Sequence, residues 1–295
     1  MKFKYLIIIF GVIIIVVVLT TSLLPMIISG HRNAVTFKYI TLPLLLFMAV
    51  LLIGMSIFFF INYRLFSLLE REDWPALAYY LEKKVYSKGR YTDRYIRLLA
   101  SSYLVISDFQ SVLKLENKVL AAKSSIISKN VLIFGAARVL SGDHHEAVLF
   151  FKNYLGKCGK NDKQWVQWFY GFSQLLNGSF RQAEPEFLSL AVTSDSILIT
   201  GLSAYFLRNT IEKHSLDSKN CRETADNGRE RVRNALSSLE NWQKEKDRLT
   251  AEIHIAIISK YINDAGKWLF SQESADPPLY ADLPGINGNS EKKHK

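Results

Sequence analysis

Apolar positions along the chain change their spacing twice, and each change predicts a different kind of element. Leu6 to Leu24 is an uncharged, mostly apolar run, and Ile40 to Ile61 is a second. Each reaches the ~20 residues a helix needs to cross a hydrocarbon core of about 30 Å. Two membrane-spanning helices are therefore expected, at about 6–24 and 40–61, making an anchor of residues 1–62. Past that point the apolar residues fall into a helical period, as in Trp165, Trp168, Phe169 and Phe172 at i, i+3, i+4 and i+7. Residues 273–295 lose the period and take on the Pro, Gly and charge content of a disordered tail.

A signal peptide is the rival reading of the first run, because Lys2 and Lys4 precede it. The run is longer than the usual apolar region of a signal peptide, no A-x-A-like site follows it, and a second span comes directly after. A retained hairpin is favoured. Tyr5, Tyr39 and Tyr63 sit at the span edges, where an amphipathic ring suits the headgroup layer. Pro43 falls in the first turn of the second helix, where a missing N–H costs least. Lys2, Lys4, Arg64, Arg71, Lys83 and Lys84 flank the hairpin on one side, against Arg32 and Lys38 in the connecting loop. That bias favours a multi-pass protein of a bacterial inner membrane with its body in the cytoplasm; a periplasmic body runs against the charge.

The region between anchor and tail repeats. "SGDHHEAVLFFKNYL" is echoed by "NGSFRQAEPEFLSLA", so that Ala147 and Phe151 are answered by Ala183 and Phe187, 36 residues on. Gly135 and Gly171, twelve residues before those alanines, are displaced equally. Asp73, Asp108, Asp143 and Ser179 recur at spacings of 35, 35 and 36, each where a helix N-cap is expected. An Asp or Ser there accepts a hydrogen bond from a free backbone N–H of the first turn, and Glu146 or Gln182 three residues on suits a capping box. Leu77, Val112, Ala147 and Ala183 follow each cap by four residues, and Leu81, Phe151 and Phe187 continue that face. Glu116 breaks the pattern in the second unit.

This spacing resembles the tetratricopeptide repeat, a 34-residue pair of antiparallel helices. Ala147-x3-Phe151 and Ala183-x3-Phe187 match its second helix; Phe134-Gly135 and Tyr170-Gly171 match its Leu-Gly pair. The Trp position instead holds Val131 and Gln167, the Tyr position Arg138 and Gln174, and the Pro position Gly159 and Asp195. The expected fold is thus all-α: two transmembrane helices followed by a TPR-like antiparallel helical-hairpin solenoid over residues 63–272. Counting back from Leu77 places the first repeat helix at Leu65, and no Gly or Pro separates Met55 from Trp74. One helix is expected to leave the bilayer and enter the first repeat. Downstream, "SILITGLSAYFLRNTIEK" reads as another first helix and "HSLDSKNCRETADNG" as a polar interruption. Two closing helices follow, or one long helix from Arg229 to Asp264.

The chain has 295 residues and a formal charge of +10; residues 1–61 carry four basic and no acidic side chains. Basic residues after the second span can be drawn to anionic headgroups. No aromatic-basic interleaving points to nucleic acid. Cys158 and Cys221 form no C-x-x-C, so neither a disulfide framework nor a zinc site is expected. His144 and His145 suggest a metal pair, but adjacent helical residues diverge by about 100° and a solvated first turn is the plainer reading. No P-loop, H-E-x-x-H, G-x-S-x-G or G-x-G-x-x-G occurs, so no catalytic residue, metal ligand or cofactor is assigned.

The candidate partner-binding residues are Trp165, Trp168, Phe169, Phe172, Arg94 and Arg97. In proteins that this one resembles, first helices line a concave groove, which would make the aromatic stripe a docking surface. The alternative is that later helices cover it, which the rarity of large exposed apolar patches favours. Arg94 and Arg97, and likewise Arg229, Arg231 and Arg233, either meet an acidic partner or lipid or form solvated helix faces. The resemblance implies a membrane-anchored, non-enzymatic scaffold for partner proteins in an envelope-biogenesis or motility assembly. The alternatives are a periplasmic structural component such as a spirochaetal flagellar collar subunit, a lipid-surface binding module, and a membrane enzyme using His31 and Arg32.

Overall fold

The structure is a computed structural model that describes residues 42–250 and 252–271, together with 11, 12, 15–17, 19 and 20. Most of the first expected span, 6–24, lies outside the described residues, as do His31, Arg32 and the tail 273–295. Every regular element among the described residues is helical. The chain divides into two units, Met1–Lys83 and Lys84–Lys295.

In the first unit, α1 (Leu42–Glu70) is followed by α2 (Trp74–Glu82). Among the described residues one helix, Leu46–Glu70, is long and apolar enough to cross a membrane, where two were expected. It does not stop at Ile61 but continues unbroken to Glu70, as the absence of Gly and Pro there allows. Its apolar side chains are exposed around the helix, with Leu46, Phe47, Val50, Ile53 and Phe60 all more than half accessible. An all-round apolar surface of this length is poorly served by water and fits lipid. The lower part of α1 carries α2: Leu65, Leu77 and Leu81 are fully interior, and the Arg64 guanidinium lies 5.5 Å from the Tyr80 ring.

The second unit contains α3 (Asp93–Val105), α4 (Phe109–Lys123), α5 (Ser125–Lys129), α6 (Val131–Ser141), α7 (His144–Tyr154), α8 (Lys163–Leu176), α9 (Phe180–Thr193) and α10 (Ile197–Phe206). They are followed by α11 (Ser218–Leu236), α12 (Leu239–Arg248), α13 (Ile253–Ile257) and α14 (Ser259–Phe270). Most packing is between near neighbours in sequence, but α14 returns to α10 and α13 to α6. The pairs α3 with α4, α6 with α7, and α8 with α9 lie side by side, and α3, α6, α8 and α10 touch in that order.

The expected caps are present. Asp73, Asp108 and Asp143 each accept from the backbone N–H three residues on, at 3.1, 3.1 and 3.2 Å. Ser179 stands at the N-cap of α9 but its hydroxyl makes no capping bond. Each cap is preceded by a residue in the left-handed region: Glu72 (φ 53°), Ser107 (φ 59°), Gly142 (φ 80°) and Gly178 (φ 74°). The four turns therefore share one backbone shape, although only two use the residue for which it is free of strain.

Glycine and phenylalanine form a seam inside the hairpins. A Cβ on Gly135 would stand 2.1 Å from Cζ of Phe151, and one on Gly171 would stand 3.0 Å from Cε2 of Phe187. The missing side chain is what lets α6 meet α7 at that ring. In the preceding hairpin the same positions hold Ala100 and Glu116, both buried. There the Glu116 carboxylate takes two hydrogen bonds from Arg138, at 2.6 and 3.1 Å, and Arg138 lies 4.3 Å from the Phe150 ring. Burial pushes the Glu116 carboxyl up while the guanidinium pulls it down. The break in the apolar pattern is thus an ion pair reaching into the next hairpin.

At the C-terminal end one expectation is corrected and one of two alternatives is excluded. Most of the polar stretch 214–228 is helical: α11 begins at Ser218, where Asp217 accepts from the Asn220 N–H at 3.1 Å. Cys221, Ala225, Gly228 and Val232 form a buried line of small residues along it, a pattern that mean polarity hides. Nor does a long helix run from Arg229 to Asp264. Ser237 turns left-handed (φ 58°), Ser238 caps α12, and a second break separates α12 from α13. Trp242 fixes the result: its indole fills the space over Gly201 and Gly266, where a Cβ would come within 2.6 Å of the ring, and Nε1 donates to the Ile262 carbonyl at 2.9 Å.

Candidate functional site

The aromatic stripe lies inside the second unit. Trp165, Trp168, Phe169 and Phe172 are 8%, 0%, 0% and 2% exposed. The C-terminal helices cover them: the His254 ring of α13 lies 5.1 Å from Trp165 and 6.1 Å from Phe169, and Tyr261 of α14 lies 5.3 Å from Phe172. Phe206 of α10 closes against Trp168 and Phe172 from the other side. A partner reaches these rings only by displacing α13 and α14, so the stripe as placed is core and not an open docking surface.

Of the six predicted residues, Arg97 and Trp165 line one cavity; Arg94 and Arg97 are both exposed on α3, and Trp168, Phe169 and Phe172 are interior. Arg97 and Trp165 line a cavity of about 190 Å³ between three first helices, α3, α6 and α8, and the segment joining α12 to α13. Its aliphatic wall is Leu132, Ile133 and Leu249.

The polar groups around it are held in a specific way. Asn130 precedes α6 yet makes no capping bond. Its buried amide instead accepts from Arg97 Nε at 3.1 Å and donates to Asp93 Oδ1 at 2.6 Å and to the Ile126 carbonyl at 2.9 Å. Arg97 is thereby gripped by one edge of its guanidinium. Among the described residues neither of its Nη groups forms an ion pair or a hydrogen bond. Asp162 precedes α8, also without a capping bond from its side chain. Burial pushes its carboxyl up, Arg97 holds it down, and Glu252 adds a smaller upward push. His254 is 6% exposed; burial, and then the charge on Arg97, hold its imidazole down to about 4, so it is neutral near pH 7. Lys129 and Glu252 stand exposed at the rim.

The cavity therefore brings two cations and two carboxylates to a slot with one apolar wall, and among the described residues no ion pair joins them. A sequence reading passes over most of these groups. Asn130 and Asp162 belong to no motif that the sequence shows, and Glu252 and His254 come from a segment about ninety residues beyond α8's start. Only the places of Arg97 and Trp165 on first helices pointed here.

The other candidates have structural positions. His144 and His145 occupy the first turn of α7, and among the described residues no three of His, Cys, Asp or Glu gather into a metal-binding group. Cys158 and Cys221 are free. The arginines after the polar stretch close helix ends: Arg231 donates to the Val192 and Ser194 carbonyls, at the end of α9, at 2.9 and 2.7 Å. Arg229 and Arg233 both donate to the carbonyls of Leu269 and Ser271 at the end of α14. These bonds place positive charge at the negative end of each helix.

Comparison with known proteins gives two findings. A family described as "Uncharacterised Treponema protein" matches residues 111–271, more than half of the chain. A protein of Treponema pallidum (strain Nichols), described as "Uncharacterized protein", is 29% identical over 221 residues, covering 71% of this chain and 69% of the relative. No solved structure matches.

Proposed function

We propose the following for this chain, which belongs to the family of uncharacterised Treponema proteins matched above: it is a membrane-anchored, non-enzymatic scaffold. In this reading a two-span anchor presents a TPR-like domain that holds partner proteins near the bilayer, with the body on the cytoplasmic side. The observation that carries the reading is the recurrence of one turn, a left-handed residue followed by an Asp or Ser at the N-cap position, at Asp73, Asp108, Asp143 and Ser179. Repeated helical hairpins of that kind present extended surfaces suited to binding other proteins. The exposed apolar length of α1 supports the anchor. Arg94, exposed on α3, and the rim cation Lys129 offer positive charge to an acidic partner surface.

The test is crosslinking in native membranes followed by identification of what is captured, comparing the wild type with Arg94→Glu. Capture of a protein partner that the variant loses supports the scaffold. Capture of lipid alone, with no protein partner, overturns it.

A second reading is favoured by the treponemal source of the relative. Treponemes are spirochaetes, and the chain would then serve as a structural component facing the periplasm, of the flagellar-collar kind. Protease access to the C-terminal tail in intact cells with a permeabilised outer membrane decides between them: cleavage supports the periplasmic body, protection the cytoplasmic one.

A further inference from the structure

The Arg97–Trp165 cavity gathers charged groups of both signs: Arg97, Lys129 and Glu252 are exposed at its mouth and Asp162 is half-buried. Arg97 is held by Asn130 through Nε, and among the described residues its Nη edge is unbonded and the Asp162 carboxylate accepts no hydrogen bond from a side chain or from the helix that it precedes. The two influence each other's charge yet form no ion pair. Charges of both signs thus converge on one slot while remaining open to a ligand. The remaining wall is mixed: Leu132, Ile133, Leu249 and the Trp165 indole form an apolar patch, beside Asn130, Asn161 and the neutral His254. A slot of about 190 Å³ suits a small molecule rather than a polypeptide segment.

We propose that this cavity binds a free α-amino acid with an apolar side chain. The carboxylate lies against the Nη edge of Arg97, with Lys129 beside it. The ammonium group lies against Asp162 and Glu252, and the side chain rests on Trp165 and the aliphatic wall. Guanidinium and carboxylate give charge-assisted hydrogen bonds, and a site built for both charges rejects an analogue that lacks either, because its own group is then left unpaired. The site is independent of the scaffold reading: it can exist whether or not the chain holds protein partners. It also lies where α13 closes over the first helices, so a bound amino acid would bridge α3, α8 and the closing segment.

The experiment is a calorimetric titration of the full chain in lipid nanodiscs with L-leucine, L-valine and L-methionine. N-acetyl-L-leucine, which keeps only the carboxylate, and L-leucinamide, which keeps only the ammonium, serve as controls. The expected result is saturable binding of at least one amino acid, about tenfold or more tighter than either single-charge analogue. Arg97→Met should weaken the amino acid and N-acetyl-L-leucine but leave L-leucinamide unchanged, and Asp162→Asn should do the reverse. Lys129→Met and Glu252→Gln, both at exposed rim positions, repeat the two charge tests with smaller expected effects if either of the first two variants fails to fold. Absence of saturable binding for all three amino acids overturns the proposal. So does equal affinity for the analogues, or charge variants that bind like the wild type.

Discussion

Gly135→Ala sets two well-understood effects against each other. In an exposed helix interior the change stabilises by about 1 kcal/mol, because alanine loses less backbone freedom than glycine. Here the added Cβ would stand 2.1, 2.5 and 2.8 Å from three atoms of the Phe151 ring. Carbon atoms rest at about 3.5–4.0 Å, so the ring must retreat by more than an ångström. It has little room: Phe151 is 0% exposed and stacked on Phe169 at 5.6 Å between centroids. Forced overpacking of this kind costs about 1–3 kcal/mol, and with backbone on one side and a stacked ring on the other the upper end applies. The net expectation is a loss of roughly 2 kcal/mol despite the propensity gain. The assay is urea unfolding of the full chain in detergent, followed by tryptophan fluorescence, for Gly135→Ala, Phe151→Leu and the double variant. The double variant should recover at least about 1 kcal/mol relative to the sum of the single changes, since the smaller side chain vacates the space that the Cβ needs. Stabilisation by Gly135→Ala, or strictly additive losses, would refute the seam between α6 and α7.

The same reasoning gives three further expectations. Ser107→Gly should stabilise by about 0.5–1 kcal/mol and Gly142→Ala should destabilise by about 1 kcal/mol, because both positions are left-handed; thermal melts with unchanged or opposite shifts would discard the shared turn. His254 is held neutral in the fold, its imidazole at about 4 against an ordinary 6.5, so the unfolded chain binds its proton first as pH falls. Stability should therefore decline from about pH 6.5 to pH 4, by up to about 3 kcal/mol in all, and level off below; His254→Gln should flatten that part of the urea-midpoint profile, and an unchanged slope would contradict the burial argument. Replacing both Arg229 and Arg233 by Ala should speed hydrogen exchange in Ser259–Phe270 while leaving α6–α9 protected, since the carbonyls of Leu269 and Ser271 lose their donors; unchanged exchange would remove the clamp.

How much of this was readable from residues depends on how local the cause is. Asp73, Asp108 and Asp143 announce their helices because a cap needs only its own first turn. Gly135 and Phe151 could be matched with Gly171 and Phe187 because the repeat itself carries the spacing. The left-handed Glu72 and Ser107 gave no such signal, since nothing in either residue type favours that conformation. The start of α11 was hidden because its buried line of Cys221, Ala225, Gly228 and Val232 is small and weakly apolar. The stripe on α8 was legible as a stripe, but what covers it is set by His254 and Tyr261, far along the chain. The cavity was hardest to read. Its Arg97, Asp162 and Glu252 come together only when three first helices and the α12–α13 segment are assembled, and no spacing rule links them.

The central claim is that the chain works by holding other proteins at a membrane. The most direct measurement is the mass and composition of the particle obtained when the full chain is extracted gently from its native membranes. The account predicts a membrane-associated assembly that contains at least one other protein in fixed proportion to this 33.8 kDa chain. Recovery of the chain alone, or in the soluble fraction, would contradict it.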